Sequence, residues 1–171
     1  MKEFAQSLVD RQVTHPLRHE LSSFEQGVAL VIVNRNGELL LGKEAVEDPL
    51  YGRRAGQWNI ITETREPGER MKATVLRALG EELGVDLSLF SVVSGSYRET
   101  NHNYVQHMGY LYKYRCICLL FLGNPDLPAQ NYFSSAQAEI LFHQWVDVSR
   151  LPSFDIEYGA RLVIDLYQNS G

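Results

Sequence analysis

Hydrophobic positions along the chain fall into short blocks separated by turn residues, and their period changes from strand to helix and back. The apolar run Val28 to Val33, the Asn36-Gly37 pair and the block Leu39 to Leu41 read as two strands around a hairpin turn. After a loop containing Pro49, Gly52 and Gly56, Gln57 to Thr62 reads as a short strand, and a helix follows Pro67-Gly68. In that helix Val75, Leu76, Leu79 and Leu83 share one stripe, and Gly84 stands where a C-terminal glycine ends a helix. Leu89 to Tyr97 and Tyr104 to Leu122 are rich in β-branched and aromatic residues and read as strands, the second ended by Gly123-Asn124-Pro125. A further strand over Ile140 to Val146 leads through Leu151-Pro152 into a closing helix from Asp155 to Tyr167, which gathers Ile156, Ala160, Val163, Ile164 and Tyr167 on one side. The first 25 residues are more polar and read as an N-terminal helix and lead-in interrupted by Pro16. Strands interleaved with well-separated helices predict an α/β fold, a mixed sheet between helical layers.

Composition narrows the class. With 171 residues, 44% hydrophobic and 22% charged, the chain matches a single globular domain spanning 1–171. A formal net charge of -5 works against an electrostatic grip on a long nucleic acid, which needs Lys and Arg concentrated on one face. A small phosphorylated ligand remains compatible, because a few basic residues beside a cation can hold phosphate on an acidic protein. Cys116 and Cys118, at i and i+2 of an extended run, share a strand face and read as buried free thiols. A zinc site or disulfide framework would need more Cys or His at ligand spacing. With neither a signal peptide nor an apolar run of about 18 residues in view, no membrane association is expected, and the expected location is cytoplasmic.

Candidate chemistry centres on the helix after Pro67-Gly68. Glu81 and Glu82 are adjacent there, about 100° apart around the axis, so two carboxylates fan out from one turn. Such a pair can share a hard divalent cation that keeps several waters and takes substrate phosphates in its remaining positions. The commoner meaning of Glu-Glu in a helix is solvated surface. This pair, however, lies near the helix C-terminus, where mutual repulsion and the helix dipole both disfavour negative charge. A cation relieves both, and Arg77, four residues before Glu81, partly does the same.

The wider spacing is more specific. Glu69, Arg77, Leu79, Glu81, Glu82, Gly84 and Val85 together resemble the Nudix box of the Nudix hydrolase family. That box runs Gly, five residues, Glu, seven residues, then Arg-Glu-aliphatic-any-Glu-Glu-any-Gly-aliphatic, and seven of its nine fixed positions match. Trp58 and Pro67-Gly68-Glu69 sit where the family has a tryptophan-containing strand and a Gly-Glu step into the helix. Glu139-Ile140, Trp145, Val146-Asp147 and Leu151 look like its last strand, so the resemblance spans residues 27–152. It implies an α/β/α sandwich around a mixed sheet and hydrolysis, dependent on Mg2+ or Mn2+, of a pyrophosphate bond in a nucleoside diphosphate linked to another moiety. On this resemblance Glu81 and Glu82 bind metal, Arg77 holds the catalytic glutamates by pairing with them, and Glu69 is a supporting carboxylate. The implied partner is a small-molecule nucleotide, with a homodimer left open.

Two departures from the family pattern matter. Ala78 stands where the box has a metal-binding glutamate, three and four residues before Glu81 and Glu82 and hence expected on their face. Ile61-Thr62-Glu63 replaces the usual Pro-Gly-Gly, and Glu63 takes the position of the box's first glycine, whose main-chain carbonyl any residue can present. Glu63 is therefore a further candidate metal ligand, and Glu66 a second loop carboxylate, although loop acids usually face solvent. Glu139 is the candidate base in the later half of the fold; its ordinary reading is a surface glutamate at a strand start. His102 and His107 can serve as base or substrate contact, whereas His143 reads as structural. Arg53 and Arg54 can fork onto a diphosphate. Trp58 and Tyr104 are candidate substrate contacts, and Tyr51, Tyr97 and Tyr110 offer further stacking faces, although strand aromatics more often pack in a core.

Two functions follow from these residues. One is a Mg2+-dependent pyrophosphohydrolase with Glu81 and Glu82 on metal, Arg77 and Glu139 assisting, and Glu139 or a loop glutamate supplying the missing charge. The other, motivated by Ala78 and the absent Pro-Gly-Gly, is a catalytically impaired module that binds a nucleotide or a protein partner. An isopentenyl diphosphate isomerase, which relies on a cysteine and histidines before the helix, is disfavoured, because neither residue type occurs between Trp58 and Glu69.

Overall fold

A computed structural model describes residues 25–48, 53–85, 87–93, 98–103, 111–121 and 139–169. In chain order the strands are β1 (Glu25–Val33), β2 (Leu39–Glu44), β3 (Trp58–Asn59), β4 (Ile61–Thr64), β5 (Phe90–Val92), β6 (Arg98–Asn103), β7 (Leu111–Phe121) and β8 (Ile140–Val146). Helix α1 spans Met71–Leu83 and α2 spans Tyr158–Gln168. The eight strands form one mixed sheet. β1 runs parallel to β7 over its whole length and antiparallel to β4, and the other pairings are antiparallel.

β1 reads as a nearly unbroken apolar run because both of its faces are covered. Val28, Leu30 and Ile32 pack with Met71, Val75, Ala78, Leu79 and Leu83 of α1. Ala29 and Val31 pack with Ala160, Val163 and Ile164 of α2. The sheet is thus the middle layer of an α/β/α sandwich. The α1 stripe differs from the expected one at a single place: Leu76 is 40% exposed, and Met71, Thr74 and Ala78 complete the buried face instead. Leu76 lies about 100° around the axis from Val75, at the edge of the stripe beyond Leu79 and Leu83, whereas Met71, Thr74 and Ala78 extend the stripe on its other side. Gly84 ends α1 with φ 66°, where a side chain would be strained, and its N–H bonds the Gly80 carbonyl at 3.0 Å.

The expected hairpin forms, but β1 and β2 share only the pair Val33↔Leu39. Asn34 shapes the turn, its Oδ1 accepting from the N–H groups of Asn36 (2.9 Å) and Glu38 (3.0 Å). β2 then leaves β1 because β4 takes that edge over Gly27 to Leu30, while β2 finds partners in β8 and β3. The strand expected over Gln57 to Thr62 accordingly divides at Ile60, its first half pairing with β2 and its second with β1. The strand expected from Leu89 begins at Phe90, since Leu87–Leu89 make a turn of 3-10 helix. The polar segment of β6 carries no apolar signal and is a strand because β7 pairs with it from Arg98↔Cys116 to Asn103↔Leu111.

The closing helix starts at Tyr158, three residues later than its pattern suggests, because Asp155 to Glu157 run extended beside Trp58. The Trp58 N–H bonds the Asp155 carbonyl (2.9 Å) and the Glu157 N–H bonds the Trp58 carbonyl (2.8 Å). Glu157 then caps α2, its carboxylate accepting from the Ala160 N–H at 2.8 Å. No helix among the described residues is long and apolar enough to cross a membrane. The expected N-terminal helix, together with Tyr51, Tyr97, Tyr104, His107 and Tyr110, lies outside the described residues.

Because Leu79 is fully buried between α1 and β1, Leu79→Ala should cost about 2–5 kcal/mol, read as a lower urea midpoint at unchanged slope. A loss below about 1 kcal/mol would mean that the α1 stripe is not the packed face.

Candidate active site

Two groups of charged residues sit side by side at the α1 face of the sheet. The first is built around Arg77. Its Nε and Nη2 bond Glu69 Oε1 and Oε2 at 3.2 and 3.0 Å, a bidentate grip, and Nη2 also donates to the Thr64 carbonyl at 2.7 Å. Nη1 meets Glu63 at 2.9 Å and Glu81, one turn along the helix, at 3.6 Å. Glu69 further accepts from Thr74 Oγ1 and from the Glu66 N–H, each at 3.0 Å. The donors from Arg77, ahead of those from Glu66 and Thr74, hold the Glu69 carboxyl down at about 2, and the same contacts raise Arg77 above its ordinary value. The loop entering α1, the end of β4 and the helix itself are tied through one guanidinium.

The second group lines a small cleft that is partly open to solvent, bounded by Glu44, Arg53, Asn59, Thr62, Glu82, Glu139 and His143. Strand alternation accounts for several of these. Gly42 and Glu44 share the face of Leu40, which packs with the α1 cluster, and Gly42 lies in register between Asn59 of β3 and His143 of β8. A Cβ on Gly42 would come within 3.2 Å of the His143 ring and of Ile140, so the glycine lets the imidazole lie close against β2. Burial takes His143 down to about 4, which leaves it neutral at physiological pH.

Glu82 enters the cleft from α1. Burial first, then the charges of Glu63 and Glu139, push its carboxyl up to about 7; Arg53 acts the other way, and Glu44 adds a lesser upward effect. Glu44 is 3% exposed and is also raised, by burial above all, while Asn59 and Arg53 act the other way. Arg53 bonds Thr62 Oγ1 at 2.8 Å and stands 3.9 Å from Glu44. Three carboxylates therefore share the cleft with one guanidinium, a surplus of negative charge in a half-desolvated space. Hard oxygen donors in that setting suit a divalent cation, although among the described residues no three His, Cys, Asp or Glu side chains converge closely enough to enclose one.

The candidates from the sequence are distributed unevenly. Glu82, Glu139 and Arg53 line the cleft together, although they are far apart in the chain. Glu81 and Glu63 face Arg77 beside it. Arg54 points outward and forks onto Asp155 at 3.2 and 3.0 Å, with both side chains largely exposed. Trp58 packs edge-on against Phe142 and Phe154 under the Lys43 ammonium, with the α2 cluster. Ala78 is fully buried among Val75, Leu79 and their neighbours. Tyr104 lies outside the described residues.

Glu44 and Asn59 are not among the residues that motif spacing singles out, and His143, structural by its sequence context, also lines the cleft. A signal for Glu44 existed: it continues, in phase, the inward face of an apolar strand, where a carboxylate is out of place without a partner.

A family model described as the NUDIX domain matches residues 23–167. None of the curated proteins compared with the chain matches it. Among solved structures, the chain is similar to a C. elegans Ap4A hydrolase in a binary complex, at 15% identity and TM-score 0.62, over 84% of this chain and 95% of that one. A MutT NUDIX hydrolase from Burkholderia pseudomallei is similar at 16% identity and TM-score 0.62, over 84% and 98%. The NUDIX domain of Shewanella oneidensis NrtR, complexed with ADP ribose, is similar at 12% identity and TM-score 0.63, over 93% and 95%. At these identities the likeness concerns the fold.

The Arg77 cluster has a pH signature. Glu69 is held at about 2 against an ordinary 4.5, so its stabilising contribution is complete above about pH 4.5 and is lost as pH falls toward 2. Arg77→Gln should lower stability by roughly 1.5–3 kcal/mol at pH 7. The difference from wild type should shrink steadily as pH falls from about 4.5 to 2, measured by urea unfolding at several pH values. A difference independent of pH would contradict the pairing.

Proposed function

The chain belongs to the Nudix family, and from that premise we propose that it hydrolyses a pyrophosphate bond in a nucleoside diphosphate linked to another moiety, with a divalent cation, magnesium or manganese, as cofactor. The observation that carries the reading is the convergence of Glu82, Glu139 and Arg53, from three distant parts of the chain, on one cleft beside the Arg77 cluster. Supporting it are the carboxylate surplus of that cleft and the hydrolases among the structures of the same fold.

In this reading Glu82, with Glu81 and Glu63 at the flank, would hold the cation, and Arg77 positions those flanking carboxylates by pairing with them. When bound, the cation offsets charge on the phosphates and makes phosphorus easier to attack. Arg53 receives the diphosphate; a guanidinium at the cleft wall matches phosphate oxygens in pairs. Arg54 and Trp58 shape the neighbouring wall, and Tyr104 is a further substrate contact. A water oxygen forms the new bond to phosphorus, the bridging P–O bond breaks with its electron pair going to the leaving phosphate, and a carboxylate takes the water's proton. Glu139, exposed at the rim of the cleft, is the candidate for that proton.

Purified protein incubated with Mg2+ and a panel of nucleoside diphosphate sugars, dinucleotides and nucleoside triphosphates should release products from at least one class. Glu82→Gln should lower kcat on the order of 100-fold or more. Failure of every substrate to turn over above the Glu82→Gln background, with nucleotide recovered intact, would sink the hydrolase and leave a binding module.

A further inference from the structure

The carboxylate that the family places at position 78 is missing, and the structure supplies another from a different element. Glu44 ends β2 on the strand face that carries Leu40 and Gly42 toward α1, and Glu82 reaches the same cleft from α1 itself. Ala78 is enclosed in the α1 core and brings no oxygen to the cleft. Glu44 is 3% exposed, an unusual position for a carboxylate whose side-chain hydrogen bond among the described residues comes from a neutral group, Asn59 Nδ2 donating to Oε1 at 2.9 Å. Its guanidinium partner Arg53 is 3.9 Å away and is also bonded to Thr62.

A second observation is independent of the acids. Asn59 is 4% exposed and lines the cleft, and having given its amide N–H to Glu44 it leaves Oδ1 buried with no hydrogen-bond donor among the described residues. An orphaned buried acceptor costs roughly 1–3 kcal/mol and is uncommon in a settled core. A neutral amide oxygen beside a buried carboxylate is a donor set that hard divalent cations and their hydration shells accept.

We propose that Glu44, positioned by Asn59, is a cation-binding carboxylate of this protein: with Glu82 across the cleft it makes a divalent-cation site built from β2, β3 and α1, taking over the charge that Ala78 does not provide. The assignment rests on the hydrolase reading for its purpose, but binding of the cation is measurable without any substrate. Two carboxylates, with an amide oxygen at their side, match a cation that keeps water in most of its remaining positions. Glu139, at the exposed rim, is then free for the substrate.

The test is Mn2+ titration of the full chain without nucleotide, followed by the EPR signal of free Mn2+ and by calorimetry. Wild type should bind Mn2+ saturably. Glu44→Gln and Glu82→Gln should each weaken binding about ten-fold or more, Asn59→Ala should weaken it less, and Asp165→Asn on α2 should leave it unchanged. Wild-type affinity in Glu44→Gln, or no saturable binding by wild type, overturns the proposal. If Glu44→Gln does not fold, wild type alone decides: substoichiometric Mn2+ should broaden the Glu44 carboxyl carbon resonance at least as strongly as that of Glu82, and a sharp Glu44 signal overturns the assignment. A protein that binds Mn2+ through Glu44 yet cleaves nothing refutes the hydrolase and keeps the site; one that cleaves but binds Mn2+ equally without Glu44 does the reverse.

Discussion

One guanidinium ties together the approach to α1 and the helix itself. Arg77 sits among Glu63, Glu69 and Glu81 and also reaches the Thr64 carbonyl, so a single planar donor set joins β4, the loop before α1 and the helix itself. Without that positive charge three carboxylates would repel one another within a few ångströms, and the loop would have no reason to fold back onto the helix. Because Arg77 is occupied in this way, it does not neutralise Glu82, which lies one residue and about 100° beyond Glu81 on α1. The result is a division among acids of one helix and its approach: some are paired with Arg77, and one, Glu82, lines the cleft, where burial above all pushes its carboxyl up to about 7.

The sheet supplies the opposite wall of that cleft. β1 is buried on both faces and packs α1 on one side and α2 on the other, which fixes where the helix lies relative to every strand. β2 separates from β1 after one pair, and its outer half is flanked by β3 and β8. The row Asn59, Gly42, His143 follows from those registers, and the missing side chain at Gly42 makes space for the imidazole. Two residues further along β2, alternation returns the same face and places Glu44 there. The cleft is therefore a consequence of strand departure, with the helix carboxylate Glu82 on one side and strand polar groups on the other.

Buried polar groups concentrate on this side of the sheet. Glu44, Asn59 and His143 are each nearly inaccessible, yet all of them border the cleft. A hydrophobic core gains nothing from such residues, since each has to be hydrogen-bonded or else costs free energy. Their clustering, beside an Asn59 oxygen that has no donor among the described residues, sets this part of the sheet apart from the apolar core around it.

The local order of the chain alone determined the α1 stripe through Val75, Leu79 and Leu83, its stop at Gly84, the Asn36-Gly37 turn and the spacing of Glu69, Arg77, Glu81 and Glu82 that pointed to the Nudix fold. Those features rest on periods of two and 3.6 residues and on i, i+4 neighbours, all of which lie within a few positions of each other. Tertiary structure decided what those periods leave open: that Arg54 pairs with Asp155 while Arg53 turns inward, that Trp58 joins the α2 cluster, and that the polar segment Arg98–Asn103 is a strand. It also decided that Glu44 faces Glu82 across a cleft, which no spacing along the chain encodes. Each of these depends on which distant element occupies a strand edge or a helix face, and competition among partners for that space is settled only when the whole core packs.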